Sequence, residues 1–332
     1  MADENHGQLD LSIIIPTYNR ADLVSQAMNS IHASVTEAID YEILLVDDGS
    51  CEEQAQQLSL LAQSQINCRY IRLKENAGPQ VARNTGMDAA TGQFVKFLDS
   101  DDVLLPGALR DEFADIQASN ADVLVSGWVR SPLAGDLSGT SGTMIFPPVY
   151  AGNPYDAILD RFGAPVSAIL YRRQFVDDVR WDEALTHPDD WFFLVKVLLK
   201  KPNVHVRSHP VFIWRDHHGP RQSGISMIDY ARSRFKILDY LYNAMKQSGV
   251  LNTSRKNALA NYLYRDIYIA QRYDPSHYAR LVWRIKELAP DFRPTSDVER
   301  NFIMRLTGYR VSYRLYVPFH NLLSRLYRSW RK

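Results

Sequence analysis

The sequence predicts an α/β protein, a mostly parallel, Rossmann-like sheet flanked by helices, with a C-terminal helical region after it. Three observations carry this. Short apolar or β-branched runs alternate with helix-spaced segments through the first hundred residues. Polar clusters follow the apolar runs, at the positions where the strands of such a sheet end. After about Asp229 strand-like runs give way to long helical patterns rich in Tyr and Arg.

Taken in order, the strand-like runs are LSIIIPT, YEILLVDD, CRYIRL and FVKFLD, and the helical ones are ADLVSQAMNSIHA, EEQAQQLSLLAQS and PQVARNTGMDAA. This recurrence predicts parallel strands covered on both faces, with IPTYN, VDDGS and LDSDD gathered at one sheet edge. A further apolar run, ADVLVSGWV, starts at Ala121, and the Gly/Ser-rich SPLAGDLSGTSGT after it reads as a flexible loop or hairpin. NPYDAILDRF and SAILYRRQFV resume the helix and strand signals. HPDDWFFLVKVLLK reads as a helix with Pro188 in its first turn, and VHVRSHPVFIWRDHH as an extended segment ending in two histidines. The expected organisation is a polar tail over 1–10, an α/β domain over 11–226 and a helical, basic and aromatic region over 227–332.

With 332 residues the chain can bury a large core. Its 38 basic and 38 acidic residues cancel, so global charge does not point to nucleic acid as a partner. Cys51 and Cys68 lack CxxC spacing and read as packing residues of a protein from the reducing cytoplasm. The first ten residues are acidic and polar, unlike a signal peptide, and no stretch approaches the roughly 20 apolar residues that span a bilayer. Any membrane association is therefore expected to be peripheral.

The chemistry is concentrated in the polar clusters. LDSDD puts Asp99 and Asp101 on one side of an extended segment, where two carboxylates can meet one divalent cation, or a cation and a ribose. One carboxylate suffices to cap a helix, and Asp102, ahead of Pro106, suits that role. In VDDGS, Gly49 is ordinary turn chemistry, while a carboxylate at the strand end can accept a hydrogen bond from a nucleobase edge. IPTYNR offers Pro16 to end the strand, then Thr17, Tyr18 and Arg20 as hydroxyl, aromatic face and cation. NAGPQVARNTG turns at Gly78 and starts a helix at Pro79, with Arg83 and Asn84 one turn inside; these read either as a solvated face or as groups directed at phosphate.

IPTYNR, VDDGS, NAGPQVARNTG and LDSDD occur in the order and spacing of family-two glycosyltransferases of the GT-A fold, inverting enzymes that use nucleotide-activated sugars, and the chain resembles that family over roughly residues 10–110, with a weaker echo to about 226. The resemblance implies a nucleotide-diphospho-sugar site formed by Pro16, Thr17, Tyr18, Arg20, Asp47, Asp48, Asn76, Gly78, Arg83, Asp99 and Ser100. It implies Mn²⁺ or Mg²⁺ held by Asp99 and Asp101, with Asp101 the direct ligand, and by His217 or its neighbour His218. HPDDW is similar to the family's acidic pair, which makes Asp190 the expected catalytic base and Asp189 the alternative. The bland reading of that pair is complementation of a helix N-terminus, where the dipole would keep an aspartate ionised. WRDHHGPRQSGIS resembles the segment that closes over the diphosphate, although Pro220 and Arg221 depart from its commoner form.

The implied activity is transfer of a sugar from a UDP-sugar, or from a dTDP- or GDP-sugar, to a saccharide acceptor. The stretch from Asn301 to Lys332, with seven cations, no acid and interleaved aromatics, reads either as a solvated helix or as a peripheral membrane contact. With a cytoplasmic enzyme this suggests a lipid-linked acceptor in cell-surface polysaccharide synthesis. The Q-x-x-R-W motif and membrane helices of processive synthases are absent from the sequence, so one sugar per encounter is expected. A sugar nucleotidyltransferase would carry a Gly-rich basic loop where IPTYNR stands, and a non-catalytic nucleotide-sugar-binding module would dispense with the base.

Overall fold

A computed structural model of the chain describes residues 9–132, 142–185, 187–216 and 226–292. It divides into two compact units at residues 224/225. The first alternates β1 (Leu11–Thr17), α1 (Ala21–Ser34), β2 (Tyr41–Asp47), α2 (Glu52–Gln63), β3 (Cys68–Arg72), α3 (Pro79–Ala89) and β4 (Phe94–Phe97). It continues with β5 (Val103–Leu104), α4 (Ala108–Ser119), β6 (Val123–Pro132), β7 (Thr143–Ile145), α5 (Pro154–Leu159), β8 (Ile169–Arg172), α6 (Arg173–Val176), α7 (Asp189–Leu199) and β9 (Val204–Asp216). The segments expected as strands and helices in the first hundred residues form those elements.

The nine strands make one sheet in the order β3-β2-β1-β4-β8-β6-β9-β5, with β7 paired to β6. Pairing is parallel from β3 to β4, as short strands joined by helices require. Beyond β4 the sheet becomes mixed: β8 runs antiparallel to both β4 and β6, and β9 runs parallel to β6. Two successive reversals leave β6 and β9 pointing the same way as β1, β2 and β4. The carboxyl ends of all five therefore reach one edge, which is what brings distant polar clusters together.

Burial explains the placement of the strands. β1 is buried at every position, the pattern of a central strand covered on both faces, and α3 packs against it so closely that a Cβ added at Gly86 would come within 2.4 Å of the Ile14 side chain. The apolar pattern of FVKF hides one exception. Lys96 has no exposed surface and pairs with the equally buried Glu112 of α4 at 2.8 Å, while the Ser126 hydroxyl donates to the same carboxylate. Such a pair is tolerated in the core because each charge meets its opposite and further hydrogen bonds.

Several local expectations shift. Pro106 and Gly107 precede α4, Gly107 occupies the cap position in a left-handed conformation, and Asp102 does not cap the helix. Pro188 likewise stands at the cap of α7 and not inside its first turn. Cys51 is exposed and Cys68 half-buried, so Cys51 is not a packing residue.

The second unit consists of α8 (Met227–Gln247), α9 (Thr253–Arg265), α10 (Ile267–Tyr273) and α11 (Pro275–Leu288). Side chains of Asn252 and Asp274 accept the N–H groups of Arg255 and His277 at 2.9 Å, capping α9 and α11. Their apolar faces share a core that includes Ile237, Leu241, Leu259, Leu263, Leu281 and Ile285. No helix among the described residues is long and apolar enough to cross a membrane.

His277 sits in this core, 1 % exposed, edge-on to the Phe235 ring, with neither ring nitrogen hydrogen-bonded. Burial first, then the Arg280 charge, pushes its proton affinity below the ordinary value of 6.5, against the smaller opposing pull of Asp274 and Asp266. The folded state thus keeps a neutral imidazole that the unfolded chain protonates. Its contribution to stability is full above pH 6.5 and is lost as pH falls below it. The unfolding temperature of wild type is expected to fall between pH 7.5 and pH 5.5 more steeply than that of His277→Leu; parallel slopes would contradict this placement.

Candidate functional site

The site is built on loops that leave the carboxyl edge of the sheet. At the end of β1, Pro16 is buried in the ladder opposite Val46, and the Thr17 carbonyl accepts the Asp48 N–H at 2.8 Å, joining the first two loops. The Thr17 hydroxyl is buried without a hydrogen-bond partner, and Tyr18 is 44 % exposed at the rim.

The two aspartates of VDDGS divide their work. Asp47 has no exposed surface; its carboxylate accepts the Tyr70 hydroxyl at 2.7 Å and the Ser50 N–H at 2.9 Å, which folds its own loop. Asp48 accepts the N–H groups of Ala77 and Gly78 at 2.8 and 2.9 Å, so it holds the loop ahead of α3. Partial burial raises its proton affinity, against the pull of those two N–H groups. Gly49 follows the two aspartates at φ +71°, where an added Cβ would come within 2.4 Å of the Glu75 carbonyl carbon. Only glycine admits that approach. Asn76 stands exposed on the loop so formed, and Gly78 caps α3 with Pro79 as its first residue.

The central feature is Arg83. It projects from α3, is almost fully buried, and donates to Asp99 through one terminal nitrogen and to Asp189 through the other, both at 2.7 Å. The Trp181 ring lies 4.4 Å from its guanidinium carbon. Burial works against this charge, and Asp99 and Asp189 more than restore it. The arginine expected to face phosphate is thus the bridge between the LDSDD turn and the start of α7.

The other acids of the turn are held individually. Asp101 pairs with Arg20 at 2.9 Å, and its main-chain carbonyl accepts the Arg215 side chain from beneath. Arg215 is 1 % exposed and also donates to Gln26 at 2.6 Å. Ser100 is buried. Asp102, buried as well, accepts the Ser167 hydroxyl at 2.6 Å, and burial together with Asp101 and Asp99 pushes its carboxyl well above the usual range. Buried aspartic acid here favours the neutral form. The crowd is thereby reduced to two carboxylates that reach solvent, Asp99 and Asp101, 36 % and 22 % exposed.

At α7 the acidic pair is split by environment. Asp189 is 5 % exposed and accepts from Arg83 and from Gln80 at 3.0 Å; burial raises its proton affinity, but His187 and Arg83 bring it below the ordinary value. Asp190 is only half-buried, takes the Trp191 N–H at 2.7 Å, and is pushed up to about 6 by desolvation and by the Asp189 charge. Such a carboxylate is still ionised at neutral pH, and it takes a proton more readily than an ordinary aspartate.

Asp99 and Asp101 supply hard oxygen donors that suit Mg²⁺ or Mn²⁺. Among the described residues no group of three or more His, Cys, Asp or Glu forms a complete metal cluster. His217 and His218 lie outside the described residues, as does the 300–332 stretch. Gln80, Tyr70, Ser167 and Trp181 were not singled out in the sequence. Gln80 had one usable signal, its place one turn before Arg83 on the same helix face; the rest reach the site from distant segments.

Comparison with known proteins bears on family and fold. Residues 12–180 match the model of the family described as glycosyl transferase family 2. The poly(ribitol-phosphate) beta-N-acetylglucosaminyltransferase TarP of Staphylococcus aureus is 31% identical over 116 residues, 35% of this chain and 35% of that protein. The GalNAc(5)-diNAcBac-PP-undecaprenol beta-1,3-glucosyltransferase of Campylobacter jejuni is 40% identical over 101 residues, 30% and 32% of the two chains. These alignments span about a third of each relative's length. The crystal structure of S. aureus TarS 1–349 in complex with UDP-GlcNAc superposes with a TM-score of 0.64 at 20% identity, covering 85% of this chain and 82% of that one, a likeness of fold. The sheet and its flanking helices are those of a GT-A fold, and with more than half of its length matched by the family model the chain belongs to glycosyl transferase family 2.

Proposed function

We propose that the chain is a metal-dependent, inverting and non-processive glycosyltransferase. It moves a sugar from a nucleotide-diphospho-sugar, with UDP-sugar favoured, to a lipid-linked saccharide in cell-surface polysaccharide synthesis at the cytoplasmic side of the membrane. The observation that carries this reading is the double ion pair of Arg83, which fixes the Asp99 turn and the acidic start of α7 beside one another. Relatives named for poly(ribitol-phosphate) and undecaprenol-linked acceptors support the acceptor class.

The geometry supports the following roles. Thr17, Tyr18 and the loop pinned by Asp48 receive the nucleoside, with Tyr18 offering an exposed ring. Asp99 and Asp101 would hold the divalent cation, which supplies charge stabilisation for the departing nucleoside diphosphate. Asp190 takes the proton of the acceptor hydroxyl while that oxygen forms its bond to the anomeric carbon and the bond from that carbon to the phosphate oxygen breaks. Attack from the opposite face inverts the configuration. Asp189, tied to Arg83 and Gln80, keeps its own charge and so raises the proton affinity of Asp190.

The donor reading is tested by heat unfolding with nucleoside diphosphates. UDP at about 100 times its Kd should add about 2.7 kcal/mol of stability in the presence of Mn²⁺, and Asp101→Asn should lose the metal-dependent part. A UDP response unchanged by EDTA would refute it. Product analysis with a UDP-sugar should show a single added residue.

The base assignment has two readouts. Asp190→Asn should cut transfer by a factor of about 10² to 10⁴ while UDP binding persists, and wild-type kcat/KM should decline as pH drops through about 6. Because its folded proton affinity lies above that of an unfolded aspartate, Asp190 favours the fold only at low pH, and this contribution disappears as pH rises through about 6. Asp190→Asn should accordingly unfold at a higher temperature than wild type at pH 7.5. Retained transfer would remove Asp190 from the base role.

A further inference from the structure

The chain has no net charge, yet its charge is divided between the two units. Residues 225–332 hold 20 Lys and Arg against 8 Asp and Glu, whereas residues 1–224 hold 18 against 30. The helical unit is therefore strongly basic and the sheet unit equally acidic.

Within the helical unit five of the six described carboxylates are taken up by a few arginines, and the sixth, Asp291, is exposed. Asp229 and Asp274 pair with Arg232 at 2.8 and 2.7 Å, Glu287 pairs with Arg284 at 2.7 Å, and Asp239 and Asp266 lie against Arg284 and Arg234. These internal pairs leave the outward surface dominated by cations. Helix α11 shows the consequence most clearly. It buries His277, Leu281, Val282, Ile285 and Leu288 and turns Ala279, Arg280, Trp283, Lys286 and Glu287 to solvent, the glutamate being held by Arg284. Trp283 is 63 % exposed in the middle of that face, and Tyr268 and Tyr273 of the adjoining α10 are also exposed.

The Arg284 guanidinium lies 5.8 Å from the Trp283 ring, yet most of the indole stays in water between two cations, an apolar area that an isolated soluble unit leaves exposed. We propose that the outward face of α11, centred on Trp283 and flanked by Arg280 and Lys286, docks on an anionic phospholipid bilayer. An amphipathic helix lying in the interface plane puts an indole at headgroup depth, where its ring is apolar and its N–H stays wet. Cations one turn to either side then meet lipid phosphates. A soluble polyanion would satisfy the arginine and lysine but leave the indole exposed, which is why a bilayer is the better occupant. This face lies in the described helices and is distinct from the 300–332 stretch, and its binding is read without any sugar transfer.

The test is co-sedimentation of the full chain with phosphatidylcholine vesicles, with and without about 30 % phosphatidylglycerol. The chain should sediment with the anionic vesicles, less so as salt rises, and only weakly with neutral ones. Trp283→Ala and the double variant Arg280→Glu/Lys286→Glu, each with an unchanged circular dichroism spectrum, should each lower partitioning about five-fold or more. Absence of binding to anionic vesicles would overturn the proposal. So would binding that both variants leave intact, which would assign it to another part of the chain, or binding to soluble polyphosphate without binding to vesicles.

Discussion

One buried guanidinium organises the acidic edge of this protein. Arg83 is held by Asp99 on one side and Asp189 on the other, and both partners belong to segments that the chain brings together only in the folded sheet. Without that cation, two carboxylate clusters would face one another across a partly desolvated space, where like charges interact strongly. With it, one carboxylate of each cluster, Asp99 and Asp189, meets a cation, and Asp101 and Asp190 stand outside the bridge. Breaking such a buried pair by removing one partner costs about 3–5 kcal/mol, because a desolvated charge is left alone.

Around the bridge, environment separates residues of identical chemistry. Asp102 is buried against Ser167 and favours its neutral form, while Asp101 stays partly open beside Arg20. Asp189 is pulled below the ordinary aspartate range, while Asp190 is pushed up to about 6 by desolvation and by its neighbour. Pairs of titratable groups driven apart in this way mark out acid–base roles. Asp47 and Asp48 divide in a different manner: the first folds its own loop and the second pins the next one. The residues expected to touch ligand thus hydrogen-bond within and between these loops.

Much of this was legible from the order of the residues. LSIIIPT, YEILLVDD and FVKFLD are short, continuous apolar runs followed by polar turns, and their pairing as parallel strands follows from the helices between them. The mixed half of the sheet was not legible, since the reversal at β8 depends on which strand edges remain open once β1 to β4 are paired. For the same reason the partners of Arg83 were hidden: Asp189 lies 106 residues away in sequence. The partner of Lys96 was hidden as well: a cation inside an apolar run meets Glu112 of a separate helix in the core. Local spacing reports which residues share a face of one element; it does not report which elements meet.

The most direct test of the bridge is a double-mutant cycle on Arg83→Met and Asp189→Asn, read by urea unfolding of the full chain. If Arg83 joins the two acidic segments as described, the cycle should give a coupling energy of about 2 kcal/mol or more. Effects that add to within about 0.5 kcal/mol would show that the two side chains do not act as a unit, and would contradict the account.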